Sequence, residues 1–106
     1  MYCLTVTYPL GEDTHFDHDY YHDKHMPMCA QLLADHGYLG TVVRNGPGKA
    51  PGSSDLDYVS VDLLFEDKEH LQVGLAAAGA DIQGDISNYT NCRPKMTFSE
   101  VAISLD

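Results

Sequence analysis

The period of the hydrophobic pattern switches repeatedly along this chain, and the order of the switches limits the folds open to it. Tyr2, Leu4, Val6 and Tyr8 alternate with Cys3, Thr5 and Thr7, which is strand periodicity with one larger and one smaller face. Pro9-Leu10-Gly11 ends that strand, and a polar connection runs to His15. Asp17 then has the character of a helix N-cap, with Asp19 in the first turn, where the helix dipole favours a negative charge. Phe16 and Tyr21 have the spacing of a hydrophobic staple. The spacing predicts a helix to about Asp35, closed by His36-Gly37 and kinked or broken near His25-Met26, because Pro27 removes a backbone bond.

A second strand is expected over Tyr38 to Arg44. The Gly/Pro/Ser-rich stretch Asn45 to Asp55 reads as a long loop, and Tyr58 to Phe65 as a third strand. Asp67 caps a second helix, whose face is Leu71, Leu75, Ala78 and Ile82. Gly74, Gly79 and Gly84 are expected to weaken or split it. Ser87 to Arg93 is a loop, and Met96 to Leu105 a fourth strand with a bulge near Ser99-Glu100, where the alternation slips. The resulting order βαββαβ defines an α+β, ferredoxin-like domain over residues 1–106: an antiparallel four-stranded sheet with two helices on one face. Neither face of the third strand is wholly polar, so a second copy's sheet is the expected cover for the open face.

Charge narrows the partners. Sixteen Asp and Glu stand against 6 Lys and Arg, a net charge of −10. That leaves no cationic face to displace phosphate counterions, so nucleic acid and anionic membranes are excluded as partners. No run approaches the roughly 20 apolar residues of a membrane span. The opening residues lack the charged and apolar regions of a signal peptide. Cys3, Cys29 and Cys92 form no CxxC pair, so neither a disulfide framework nor a zinc knuckle is supported. Reduced thiols in a cytoplasmic setting are the expectation.

The densest chemistry lies between His15 and His25, which holds four of the six histidines. His18, His22 and His25 are spaced i, i+4 and i+7, so on a helix they project from one side. One reading is a metal site on His18 and His22; the other is a half-exposed helix edge among Asp17, Asp19 and Asp23. The missing glutamate of HExxH and the Pro27 break favour the second, so no metal is expected. A different reading pairs Tyr21 with His25: a neutral imidazole can serve as a general base, and a phenol beside it can donate to a developing oxyanion. The alternative is that both merely pack the helix start. The cysteines show no base at a telling spacing, and no phosphate-binding glycine loop is present.

The segment Phe16-Asp17-His18-Asp19-Tyr20-Tyr21-His22-Asp23-Lys24-His25-Met26-Pro27-Met28 resembles the FDxDYYxxxHMP start of the EthD family, named for ethyl tert-butyl ether degradation. The opening strand ending Tyr8-Pro9, the mid-chain Gly/Pro loop and Ile86-Ser87-Asn88-Tyr89-Thr90-Asn91 followed by Pro94 agree with it. The resemblance implies a dimeric α+β barrel with a cavity between helices and sheet in each subunit. It also implies a cofactor-independent oxidoreductase, or an isomerase or cyclase, acting on a small apolar organic compound in a catabolic or secondary-metabolite pathway. A non-catalytic binding protein of such a pathway is the alternative. Matched position by position, Tyr21 and His25 fall on the family's Tyr and His, and are the catalytic candidates. Asn88 and Tyr89 fall on its second motif, whereas His18 and His22 lie outside the pattern. Tyr8, Phe65, Asn88 and Tyr89 are the candidates for substrate binding.

Overall fold

The computed structural model describes residues 1–47 and 57–104 of the chain. The strands are β1 (Tyr2–Pro9), β2 (Tyr38–Asn45), β3 (Tyr58–Phe65) and β4 (Lys95–Glu100). They form one antiparallel sheet in the order β2-β3-β1-β4. The helices are α1 (His18–Tyr20), α2 (Met26–Leu33) and α3 (Lys68–Gly84), which gives the ferredoxin-like βαββαβ arrangement. No helix among the described residues is long and apolar enough to cross a membrane. Most of the expected Gly/Pro loop lies outside the described residues.

Register decides which side chains share the core. Leu4 pairs with Leu63, Val6 with Val61 and Tyr8 with Val59, and all six are buried on one face. The opposite face is mixed: the Thr5 hydroxyl donates to Asp62 at 2.7 Å and Thr7 lies 3.1 Å from Ser60, beside Cys3, Leu64 and Val42. The strands alternate as they do because one face meets helices and the other carries hydroxyls and charge.

β4 corrects two expectations. It ends at Glu100, and its ladder with β1 runs without a shift from Thr7–Lys95 to Tyr2–Glu100, so there is no bulge at Ser99-Glu100. The alternation slips there because β1 itself begins at Tyr2 and the fourth strand has nothing further to pair with; one last bond joins the Val101 N–H to the Met1 carbonyl. The irregularity falls in β2 instead, between Tyr38 and Gly40, where Gly40 takes φ +150° and Leu39 is left exposed.

α1 and α2 are one helix with a wide turn between them. Asp17 caps it, accepting from the Tyr20 N–H at 3.1 Å. Tyr21–His25 winds as a π turn, closed by the Met26 N–H on the Tyr21 carbonyl. Pro27 has no N–H to offer the Asp23 carbonyl and its ring crowds that group; the wider turn supplies the space. The expected disturbance therefore takes the form of an extra residue in the turn that leads into α2. The helix ends at Leu33, and Gly37 turns the chain at φ +67°. A Cβ at Gly37 would also lie 2.6 Å from the His70 ring, so glycine is required there twice over.

α3 is continuous over its 17 residues despite its glycines. Gly74 explains one of them: a Cβ there would stand 3.2 Å from Leu33 and from His36, so the missing side chain lets α3 approach the end of α2. Gly79 has no such role, since a Cβ there meets nothing within 4 Å. Gly79→Ala is expected to stabilise the protein by about 0.5–1 kcal/mol, seen as a rise of a few degrees in Tm; an unchanged or lower Tm contradicts this.

Candidate active site

The π turn places Tyr21, His25 and Cys29 in one inward stripe, all buried. The Tyr21 and His25 rings stack, with centroids 5.5 Å apart and 16° between planes. His25 is 3% exposed, and its Nδ1 lies 2.9 Å from Asp85 Oδ2. Asp85 follows α3 and is held in place twice more: Tyr20 Oη donates to Oδ1 at 2.7 Å and Asn88 Nδ2 at 2.8 Å. Burial alone would raise the Asp85 carboxyl; hydrogen bonds from Tyr20, Asn88 and His25 outweigh it and hold the group below the ordinary carboxylate value. An ionised Asp85 accepts from Nδ1–H, which fixes the ring so that Nε2 faces Tyr89 and Cys29.

Around Nε2 stand the Tyr89 hydroxyl at 3.3 Å and Cys29 Sγ at 3.5 Å. Tyr89 in turn meets the Tyr8 hydroxyl at 2.6 Å. Burial pushes Tyr8 up to about 12, and burial together with the Asp85 charge pushes the Cys29 thiol up to about 12. Tyr21 and Tyr89 are raised further, again chiefly by burial. At neutral pH the site therefore offers neutral phenols and a neutral thiol as donors, beside an oriented imidazole.

These groups border an apolar cavity of about 140 Å³ between the helices and the sheet, whose wall includes Tyr8, Tyr21, His25, Cys29 and Phe65. Of the residues singled out in the sequence, Tyr8, Tyr21, His25 and Phe65 meet here. Tyr89 is fully buried beside them and bridges Tyr8 to His25. Asn88 departs from its expected place among the substrate-binding residues: it is exposed and outside the wall, because its amide is engaged by Asp85. His18 packs half-buried on Phe16 at 4.8 Å and His22 is exposed, while His25 points inward to Asp85. Among the described residues no group of three or more His, Cys, Asp or Glu is arranged to hold a metal ion.

Two members of the site go beyond the sequence reading. Cys29 is legible in principle, since it stands four residues after His25 on the same helix and so does have a base at helical spacing. Asp85 carries no such signal: it arrives from 60 residues away. The two motif segments also prove to be neighbours. Asp17 N–H donates to the Tyr89 carbonyl at 2.7 Å, Thr90 Oγ1 to the His15 carbonyl at 2.6 Å, and Asn91 Oδ1 accepts from His15 N–H at 2.9 Å.

The Asp85 pair makes acid stability testable. A carboxyl lowered by folding contributes stability that is present above its unfolded pKa of about 4 and is lost as pH falls through its folded value. Asp85→Asn is therefore expected to lower Tm at pH 7, with the gap to the unmodified protein closing below about pH 4. A gap that is constant from pH 7 to pH 3 contradicts the pairing.

Fold and site together define a ferredoxin-like domain with an apolar cavity between its helices and its sheet. No family model matches the sequence, and no curated protein does. Among solved structures, an EthD-like protein from Ralstonia eutropha JMP134 is similar at TM-score 0.85 and 31% identity, covering 98% of this chain and 94% of that one. The chain belongs to the EthD-like family. An EthD family protein from Bacillus halodurans C-125 matches at TM-score 0.65 and 19% identity, over 95% of this chain and 98% of that one. SnoaB, a cofactor-independent oxygenase from Streptomyces nogalater, shares the fold at TM-score 0.70 and 8% identity, over 98% of this chain and 95% of that one.

Proposed function

We propose that this protein is a homodimeric enzyme that moves a proton on a small, largely apolar organic molecule held in the cavity, using His25 as base and no bound cofactor. The observation that carries this reading is the buried Asp85–His25 pair on an apolar wall, with the Tyr21 phenol stacked beside it. Asp85 fixes the tautomer, and Nε2 takes a proton from a C–H or O–H made acidic by a neighbouring oxygen. The electron pair left behind moves toward that oxygen, where a neutral Tyr21 hydroxyl can donate. Turning the Tyr89 O–H toward Tyr8, its 2.6 Å neighbour, and the Cys29 S–H away from His25 frees Nε2 for this step.

Return of the proton to another carbon is an isomerisation. Reaction of the carbanion with dioxygen is an oxygenation, and SnoaB, which shares the fold, is a cofactor-independent oxygenase. Binding without catalysis is favoured by one observation: the Tyr89 hydroxyl at 3.3 Å already occupies the base. Assembly as a dimer is supported by shared fold with two dimeric ferredoxin-like proteins from uncultured marine organisms, at TM-scores of 0.62 and 0.60. Val42 of β2, 50% exposed and paired with Asp62 on the sheet face away from the helices, would be covered by such a partner.

Native mass spectrometry of untagged protein reads subunit count and retained ligand together. A dimer carrying a small organic mass, converted to a new mass on incubation with fresh protein, is the expected result. A monomer contradicts the assembly, and a ligand recovered unchanged contradicts catalysis.

A further inference from the structure

The polar groups of the cavity wall can be accounted for one by one, and the remainder specifies a ligand. Tyr8 is bonded to Tyr89, His25 to Asp85 and Tyr89, and Cys29 to His25. Gln83, at the edge of the wall, is exposed to water. Tyr21 differs. Its side chain is 0% exposed, it belongs to the wall, and its hydroxyl has no hydrogen-bond partner. A buried hydroxyl without a partner is costly, and its persistence points to a partner that arrives with the ligand.

We infer that the ligand is a monocyclic carbonyl compound whose single oxygen accepts a hydrogen bond from Tyr21, with a hydrocarbon remainder seated among Leu33, Leu63, Phe65 and Ile82. Three observations lead there. The cavity lacks an acceptor for its one free donor, and a carbonyl brings acceptor lone pairs and no donor, whereas an alcohol brings an O–H that would itself need a partner. Apart from the Tyr21–His25–Cys29 stripe, Tyr8 and exposed Gln83, the wall is apolar or glycine, so a second polar group on the ligand would be buried unpaired. An apolar cavity of roughly 150 Å³ takes a single benzene ring, and this one measures about 140 Å³. This rests on the proposed enzymatic reading only for the location of the site.

Calorimetric binding to the full-length protein and to Tyr21→Phe tests it, with cyclohexanone, methylenecyclohexane (the same shape without the oxygen), cyclohexanol and 1-decalone as probes. Cyclohexanone is expected to bind the unmodified protein and to lose about tenfold in affinity in Tyr21→Phe, while methylenecyclohexane binds both equally. Cyclohexanol and bicyclic 1-decalone are expected to bind more weakly than cyclohexanone. The variant should melt no lower than its parent, since it discards an unpartnered hydroxyl. The inference is overturned if cyclohexanone affinity is unchanged in Tyr21→Phe, if the hydrocarbon loses as much as the ketone, if cyclohexanol or 1-decalone binds as tightly, or if no probe binds. These readouts need no turnover. A ketone bound but never transformed removes catalysis and leaves the ligand class standing; turnover of a differently built molecule does the reverse.

Discussion

His25→Gln is expected to lower turnover by about 10²–10⁴-fold, the usual contribution of a positioned general base. Glutamine keeps a polar amide near Asp85 but has no nitrogen able to accept a proton near neutral pH. The loss should appear in kcat, with ligand affinity largely retained, because the Tyr21 donor and the apolar wall are untouched. The measurement is a kcat and KM comparison alongside thermal unfolding. Turnover within a few-fold of the parent protein would make His25 a structural residue that only orders the aromatic cluster of Tyr21 and Tyr89, whose rings lie 5.5 and 4.6 Å from its own.

The second large effect concerns stability. Phe65 is 0% exposed, pairs across β1 with Tyr2, packs edge-on against Tyr38 at 5.8 Å and forms part of the cavity wall. Phe65→Ala removes a fully buried ring beside a space that is already empty, so the surroundings have little to collapse with. A loss of about 3–5 kcal/mol is expected. Domains of this size hold about 5–15 kcal/mol in total, so Tm should fall by roughly 15 °C or more. A loss below about 1 kcal/mol would mean that neighbouring side chains refill the site and that the cavity is not rigid. The same substitution enlarges the cavity, so the preference for a monocyclic ligand should relax in whatever variant remains folded.

Much of this architecture is legible in the sequence because it rests on local periodicity. Alternation over Tyr2 to Tyr8 and over Tyr58 to Phe65 marks two central strands, each apolar and buried on one face and mixed on the other, where Thr5, Thr7, Ser60 and Asp62 stand beside Cys3 and Leu64. Asp17 and Asp67 announce their helices through the chemistry of capping. The end of the fourth strand is not legible, for a reason no local pattern contains: where a strand stops depends on the length of its neighbour, and β1 begins at Tyr2. Pro27 marks a disturbance but not its form, since a kink and a π turn answer the same missing N–H.

The candidate site divides in the same way. Tyr21 and His25 stand out through helical spacing and through resemblance to a known motif. Asp85, which orients His25, can be found only by folding the chain, because its partners Tyr20 and His25 are 65 and 60 residues distant in sequence. Asn88 stands out through its motif as well, yet its contribution is indirect. It supports Asp85 from the exposed side and does not line the cavity.

The central claim is that His25 takes a proton from a carbonyl compound held by Tyr21. Proton NMR of cyclohexanone in D₂O with the purified, untagged protein tests it most directly. The signals of the hydrogens next to the carbonyl are expected to disappear at a rate well above that in buffer alone, and the acceleration is expected to vanish in His25→Gln. Cyclohexanone that binds and keeps those hydrogens at the buffer rate would contradict it.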